Sequence, residues 1–410
     1  MESKKNKNIL PIIMGVLALI AIIAVVIVHL KINDISNEQP QDNKELNEAR
    51  TFYETGEYKN ALDSYLLIIN EENSGMEEND YIQLTDSLTK LEDVNEKLNY
   101  AYSILDATDN TNVLFEVYFM VADYYVSQKN YKAAYEMLSD AETKAAGILD
   151  KYCDERTDVT ICLAPYDDTD DDSYVFFGSY PQTGYSQDEI PEYVVKASFD
   201  ENGYAKIYGS EYVRIRDNGE YVYYMYEPVR WWILEEEDGE LTLFSDKILD
   251  ARSYADTLRD ATWDTSDLRT WLNGEFYNTC FCDAQKEHLL LHTTEPALNY
   301  FFEFTAGVET EDYLGLMSSV LLANGRYCFK EHNSDEDNIR RKTTGTEYAI
   351  ARGLFVNDEG YGEYWTNTSA NVAHNSTVVI TEDGFILMES GGETVNKSDV
   401  GVRPFITVMR

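Results

Sequence analysis

The rhythm of hydrophobic and polar positions changes several times along the chain. Ile9 to Val28 is an uncharged apolar run, preceded by Lys4, Lys5 and Lys7 and closed by His29, Leu30 and Lys31. An apolar run of about 20 residues matches the hydrocarbon core of a bilayer. A cleaved signal peptide has a shorter apolar region of roughly 7–15 residues and a small-x-small cleavage site, which Ile23 to Val28 does not offer. Residues 1–31 are therefore expected to be a cytoplasmic tail and a transmembrane signal anchor, with 9–30 in contact with the membrane. The positive charges lie mainly before the span, so the N-terminus is expected inside and residues 32–410 outside. Residues 32–44 are polar and read as a tether.

From Glu45 to Lys151 apolar residues recur at i, i+3 and i+4 with no Pro, which predicts a helical domain over 45–156. The acidic stretch "DDTDDDS" marks 157–173 as a linker. From Tyr174 the period falls to two and turn signals multiply, predicting an α+β domain over 174–410. Hairpins are expected to turn at Asp217-Asn218-Gly219, Asp238-Gly239 and Asp383-Gly384. Asp264 to Thr279 reads as a helix with Leu268, Trp271, Leu272 and Phe276 on one face. The fold class expected is thus multidomain: a transmembrane helix, an all-α helical repeat and an α+β domain.

Two resemblances add to this pattern. Ala49, Tyr58, Ala61 and Tyr65 recur at one constant offset as Ala122, Tyr131, Ala134 and Leu138, with a weaker copy at Leu98, Ala101 and Leu105. These positions, and "ARTFYETGEYKNALDSYLLII" above all, resemble degenerate tetratricopeptide repeats, whose period is about 34 residues. Further on, "FGSYPQT", "EPVRWWILEEEDGELTLFSDKILD", "WDTSDLRTWLNGEFYNTCF", "EDYLGLMS", "TTGTEYAIARGL" and "GVRPFITV" follow in order. This ordered set resembles the bacterial domain of unknown function 6273, which occurs on anchored surface proteins and has no established activity. Its layout is similar to C-type-lectin-like and formylglycine-generating-enzyme-like domains, so the resemblance implies an irregular, lectin-like α+β fold. The family's Trp-Trp-Leu-Arg-Ser-like segment reads Tyr364-Trp365-Thr366-Asn367-Thr368-Ser369 here. Asn367 takes the place of the Arg, which implies a changed partner for Arg403 or a changed ligand.

Composition narrows the partners. The chain has 410 residues, with 75 acidic and 33 basic side chains and a net charge of −42. Such a polyanion repels phosphate backbones, so nucleic acid is not an expected partner. With 44% hydrophobic and 13% aromatic residues, including 32 Tyr, the chain has enough apolar surface for real cores and is not disordered by composition.

Candidate chemistry is sparse. No nucleophile elbow, phosphate loop or dinucleotide fingerprint occurs. Cys153, Cys162, Cys280, Cys282 and Cys328 are odd in number. Bridges Cys153–Cys162, or Cys328 with Cys280 or Cys282, are open to them. His288 and His292 lie four apart without the carboxylate pattern of a zinc site. Asp168, Asp170 and Asp172 have the spacing of half a calcium loop, but Ser173 and Ser179 stand where Gly and Glu belong. Calcium is the one cofactor left open, and no metal ligand or catalytic residue is assigned.

Aromatics are the stronger signal. Tyr221, Tyr223, Tyr224 and Tyr226 lie in one expected strand, and at period two Tyr224 and Tyr226 share a face. An exposed Tyr face offers rigid stacking area with a polar tip. The candidate ligand-binding residues are Tyr224 and Tyr226 from this face, with Trp365, Asn367 and Arg403 as the family resemblance implies. The function expected is a membrane-anchored, extracytoplasmic binding or scaffold protein at the cell surface, its ligand a protein, peptide or glycan. Alternatives are an extracytoplasmic enzyme of the formylglycine-generating or hydrolase type, and a cell-envelope assembly or sensor component.

Overall fold

The computed structural model describes residues 44–71, 74–156, 161–329, 339–388 and 391–410. The chain divides into two compact units, Met1–Glu92 and Asp93–Arg410. In the first, α1 (Lys44–Thr55) and α2 (Tyr58–Ile68) are joined at Gly56, whose φ of +78° suits a residue without a Cβ. Ala49 and Ala61 are fully buried, as small residues at a helix crossing must be. Arg50 reaches α3 (Glu78–Thr89) and grips the buried Asp80 through two bonds, Nε–Oδ1 at 2.6 Å and Nη2–Oδ2 at 2.7 Å. Burial alone pushes the Asp80 carboxyl up, but Arg50 and the Glu77 amide outweigh it and hold it below its ordinary value.

The second unit opens with α4 (Val94–Ala107), α5 (Thr111–Ser127), α6 (Tyr131–Ala141) and α7 (Ile148–Glu155). Asp93, Asn110 and Asn130 cap the first three, each side chain accepting from an amide in the first turn. Strands follow: β1 (Tyr166–Asp167), β2 (Tyr174–Tyr185), β3 (Tyr204–Ile207), β4 (Ser210–Asp217), β5 (Glu220–Glu237), β6 (Glu240–Ser245) and β7 (Asp250–Ala251). The short strands β8 (Leu289–Leu290), β9 (His292–Thr294), β10 (Leu298–Asn299), β11 (Phe304–Thr305), β12 (Thr310–Asp312) and β13 (Leu314–Leu316) come next. The chain closes with β14 (Tyr364–Ser369), β15 (Ser376–Ile380), β16 (Glu393–Thr394), β17 (Gly401–Val402) and β18 (Pro404–Met409).

Among the described residues, nine strands form a sheet along β1-β2-β5-β6-β18-β13, with β3 and β4 attached beside β5 and β8 beside β18. A second sheet runs β16-β15-β14-β17-β7. Two of the three expected hairpins are paired strands, and the third, at Asp383-Gly384, is a turn closed by the single bridge Ile380–Ile386. Asp217 pairs with Glu220 and Glu237 with Glu240, and the intervening Asn218-Gly219 and Asp238-Gly239 all have positive φ. One core lies between the large sheet and the segment after β7, around Phe177, Trp231, Leu243, Leu268, Phe276 and Ile406. The buried Trp231 donates its indole N–H to the Phe177 carbonyl at 2.7 Å.

The helix expected over Asp264 to Thr279 is broken into pieces: a turn at Trp263–Thr265, an α turn at Asp267–Trp271, a π turn at Leu272–Phe276 and a last turn at Tyr277–Cys280. The predicted face is nonetheless the buried one. Asn273 gives the wide turn its purpose. Its Oδ1 accepts from the Tyr313 and Leu314 amides at 3.0 Å, and its Nδ2 donates to the Leu314 carbonyl at 2.9 Å. The side chain thus stitches the helical segment to the start of β13.

The α4–α6 helices do not stand apart from the sheet. Gly209, at φ +78°, sits so close to α6 that a Cβ there would lie 2.4 Å from the Ala133 carbonyl oxygen. On α4, the Tyr102 ring packs on Tyr193 at 4.2 Å and stacks on Tyr208 at 4.1 Å. The acidic stretch before β2 is also engaged: Asp168 is buried and bonded by Arg230 at 2.7 Å.

The expected architecture is corrected at its N-terminal end. Among the described residues no helix is long and apolar enough to cross a membrane. The span read at 9–30, with the tail before it and the tether as far as residue 43, lies outside the described residues. What the structure carries is a set of helices followed by a sheet-rich domain. The single-pass placement, with the N-terminus inside and residues 32–410 outward, loses its structural basis with the spanning helix.

Candidate functional site

The five candidate residues are all interior. Tyr224 and Tyr226 point from β5 into the core, 5% and 4% exposed, against Tyr348 and Tyr180. The backbone carbonyl of Tyr226 accepts from Asn130 at 3.2 Å, and the Lys132 ammonium lies 5.5 Å from its ring. Trp365 donates its N–H to the Arg252 carbonyl at 2.7 Å. The Asn367 side-chain oxygen is buried and has no hydrogen-bond partner among the described residues. Arg403 is buried over Phe244 at 3.9 Å, and donates to the Ser245 carbonyl at 2.9 Å and the Tyr364 hydroxyl at 3.2 Å.

These residues do not converge on a surface, and the reason is coverage. Period-two alternation predicts which residues share a face, and Tyr224 and Tyr226 do. It cannot predict what lies on each face. The opposite face of β5 is covered as well, so Tyr223 is 2% exposed beneath Tyr212 and Val194. Of the four tyrosines in Tyr221–Tyr226 only Tyr221 is exposed, at 39%. Every residue of β14 is buried, which takes Trp365 and Asn367 out of reach of a ligand.

The helix–sheet junction beside Tyr226 is polar. The buried Lys132 ammonium pairs with Glu211 and donates to the Thr279 carbonyl at 2.6 Å. Glu211 also accepts from the Tyr204 hydroxyl at 2.7 Å. Nearby, burial pushes the Cys280 thiol up to about 12, and Cys282 is raised for the same reason. Burial also raises Cys153 and Cys162. A nucleophilic cysteine needs a depressed thiol pKa, and these four have the opposite. All five cysteines are free, so neither bridge open to them from the sequence is formed. Asp168, the first residue of the half calcium loop, is taken by Arg230. Among the described residues no cluster of His, Cys, Asp and Glu could hold a metal ion. His292 is half-buried beside Phe405, with both ring nitrogens inside, and desolvation lowers it to about 4.

The surface that is available was not singled out by sequence. The β10–β11 hairpin carries Tyr300, Phe301 and Phe302 at 44%, 48% and 47% exposure, with Leu298 at 45%. Val308 and Val372 are exposed on neighbouring loops. The tip is held in place. Asn299 is fully buried; its Nδ2 donates to the Ser369 carbonyl at 3.0 Å, and its Oδ1 accepts from the Phe301 and Phe302 amides. Phe301 and Phe302 meet edge to face at 4.9 Å, and Phe304 packs on His374 at 6.0 Å. Asp264 fastens the far side by accepting from the Val308 amide at 3.3 Å. Glu295, Glu303, Glu309 and Asp264 place acidic side chains in the same segments. The sequence signal was "NYFFEF", an aromatic run that does not alternate and sits between very short strands.

Residues 238–409 match the model of a family described as Domain of unknown function (DUF6273), which defines the class of the C-terminal domain. The match begins at the β5–β6 turn, later than the Tyr174 start expected from sequence, and includes both the hairpin and β14. No curated protein and no solved structure matches the chain significantly.

Proposed function

We propose that this chain is a binding and scaffolding protein whose C-terminal domain presents the β10–β11 hairpin to a protein partner. One observation carries the reading: three adjacent aromatic side chains are exposed on a tip whose backbone is fixed from within by Asn299. Exposed apolar patches rimmed by polar groups mark interaction sites. Aromatic anchors on a rigid support lose little entropy on binding. The rim selects the occupant. Acidic side chains around the tip, on a chain of net charge −42, favour a basic segment with apolar anchors and disfavour a second copy of this chain.

A peptide array displaying aromatic and aliphatic anchors flanked by Lys and Arg, beside the same anchors flanked by Asp and Glu, tests this directly. Retention of the basic set, with at least about a tenfold loss for Phe301→Ser/Phe302→Ser, is the expected result. Equal retention of both sets, or no change in the double variant, overturns it. A glycan array run beside it identifies a sugar ligand, and a saturable hit there replaces the protein partner.

A further inference from the structure

A second group of side chains, away from the hairpin tip, has donors without acceptors. At its base is Asp250, buried in β7. Its Oδ2 accepts from the Tyr180 hydroxyl at 2.6 Å, and its Oδ1 from the Ala251 amide at 2.7 Å and from Arg352 Nε at a long 3.4 Å. This carboxylate is already well supplied. Above it lie two guanidinium groups. Arg352 is 43% exposed at its side chain and has only that long bond to Asp250. Arg252 has no side-chain hydrogen bond or ion pair among the described residues, and its guanidinium lies 4.4 Å from the Trp271 ring centroid. Its backbone is fixed at both ends, by its amide to the Val400 carbonyl and by Trp365 on its own carbonyl.

Two further donors complete the group. The indole N–H of Trp271 is buried and has no partner among the described residues. Tyr348 is buried against Tyr180 and Tyr224, and its hydroxyl makes no hydrogen bond among the described residues. The group is tied together by contact: Arg352 and the Tyr180 hydroxyl both bond Asp250, Tyr348 packs on Tyr180 at 5.8 Å, and Arg252 stands two residues beyond Asp250 with Trp271 against its guanidinium. In a chain with 75 acidic and 33 basic side chains, an arginine without a carboxylate is unexpected. A guanidinium without a carboxylate, as at Arg252, is a usual recognition element for an oxyanion, which accepts from it in forked geometry, and Arg352 beside it is held only by its long bond to Asp250.

We propose that Arg252 and Arg352, with the Tyr348 hydroxyl and the Trp271 indole N–H, form a binding site for the oxyanion group of a small ligand, a carboxylate or a phosphate. The arginines supply charge and direction. Tyr348 and Trp271 supply neutral donors at the floor. The half-exposed Arg352 leaves the rest of the ligand in solvent. The site is independent of the hairpin and stands or falls without it.

The test is calorimetric titration of the full chain with sodium phosphate, sodium acetate and sodium succinate, at constant ionic strength set by chloride. The expected result is saturable binding of at least one of them, weakened about tenfold or more in both Arg252→Gln and Arg352→Gln. Preference for phosphate or for the carboxylates distinguishes the two ligand sources. Arg252→Lys keeps the charge but loses the fork, so its affinity is expected between wild type and Arg252→Gln. Circular dichroism of each variant verifies folding. Absence of saturation by all three anions, or affinity unchanged in folded Arg252→Gln, overturns the proposal.

Discussion

Two aromatic runs in this protein have similar composition and opposite fates. Tyr221 to Tyr226 lies in β5, and all but its first Tyr are buried. Tyr300 to Phe302 caps the β10–β11 hairpin, and all three rings are exposed. The first run alternates and looks like a half-exposed strand. The second does not alternate and looks like a loop. The difference comes from coverage: β5 has the main core on one face and Tyr212 with Val194 on the other, while nothing in the described chain covers the hairpin tip. Aromatic density alone therefore does not locate a surface.

This contrast can be broken in several ways. The largest effect is expected at Tyr226. Tyr226→Ala removes a buried ring from beneath Lys132 and should cost about 3–5 kcal/mol in chemical denaturation. A loss below about 1 kcal/mol would mean that the helix–sheet junction is not packed as described.

Next comes pH, read at His292, on the strand that precedes the hairpin. Its ring takes a proton near 6.5 in the unfolded chain, but burial lowers this to about 4 in the fold. Both states are neutral above pH 6.5, so the fold keeps its full stability there. As pH falls from 6.5 toward 4 only the unfolded chain gains the proton, and stability drops by about 3 kcal/mol. The His292→Leu variant is expected to lack this part of the acid sensitivity. An unchanged slope between pH 6.5 and 4 would assign it to other groups.

The smallest effect on stability is expected at the hairpin. Phe301→Ser/Phe302→Ser should shift the denaturation midpoint by the equivalent of about 0.5 kcal/mol or less. A large shift would make the tip a structural element and remove the ground for a docking role.

Much of the fold was legible from local chemistry. Asn218-Gly219 and Asp238-Gly239 announced their turns because hairpins need positive φ there. Leu268, Trp271, Leu272 and Phe276 announced a buried face, although Asn273 widened the helix that carries it. The candidate site was not legible. Whether Tyr224 or Trp365 meets solvent depends on residues far away in sequence, Tyr348 against the first and Tyr254 against the second. The hairpin tip escaped notice because its anchor is a single buried Asn299, whose partner Ser369 lies in another strand. The unpaired Arg252 was invisible for the same reason: sequence shows charges, not whether they are matched. The expected membrane span depended on residues outside those described, and no described helix replaces it.

The absent side chain at Gly209 has a mechanical consequence. Helix α6 rests on the sheet at backbone distance, with Lys132 bolted to Glu211 and Thr279 beside it. There is no slack for a swivel at this joint. A torque applied to α6 by anything that grips it passes straight into β4 and β5. The Asp93–Arg410 unit is then a lever without an elbow at this point, and the orientation of its hairpin is set by whatever holds its helices.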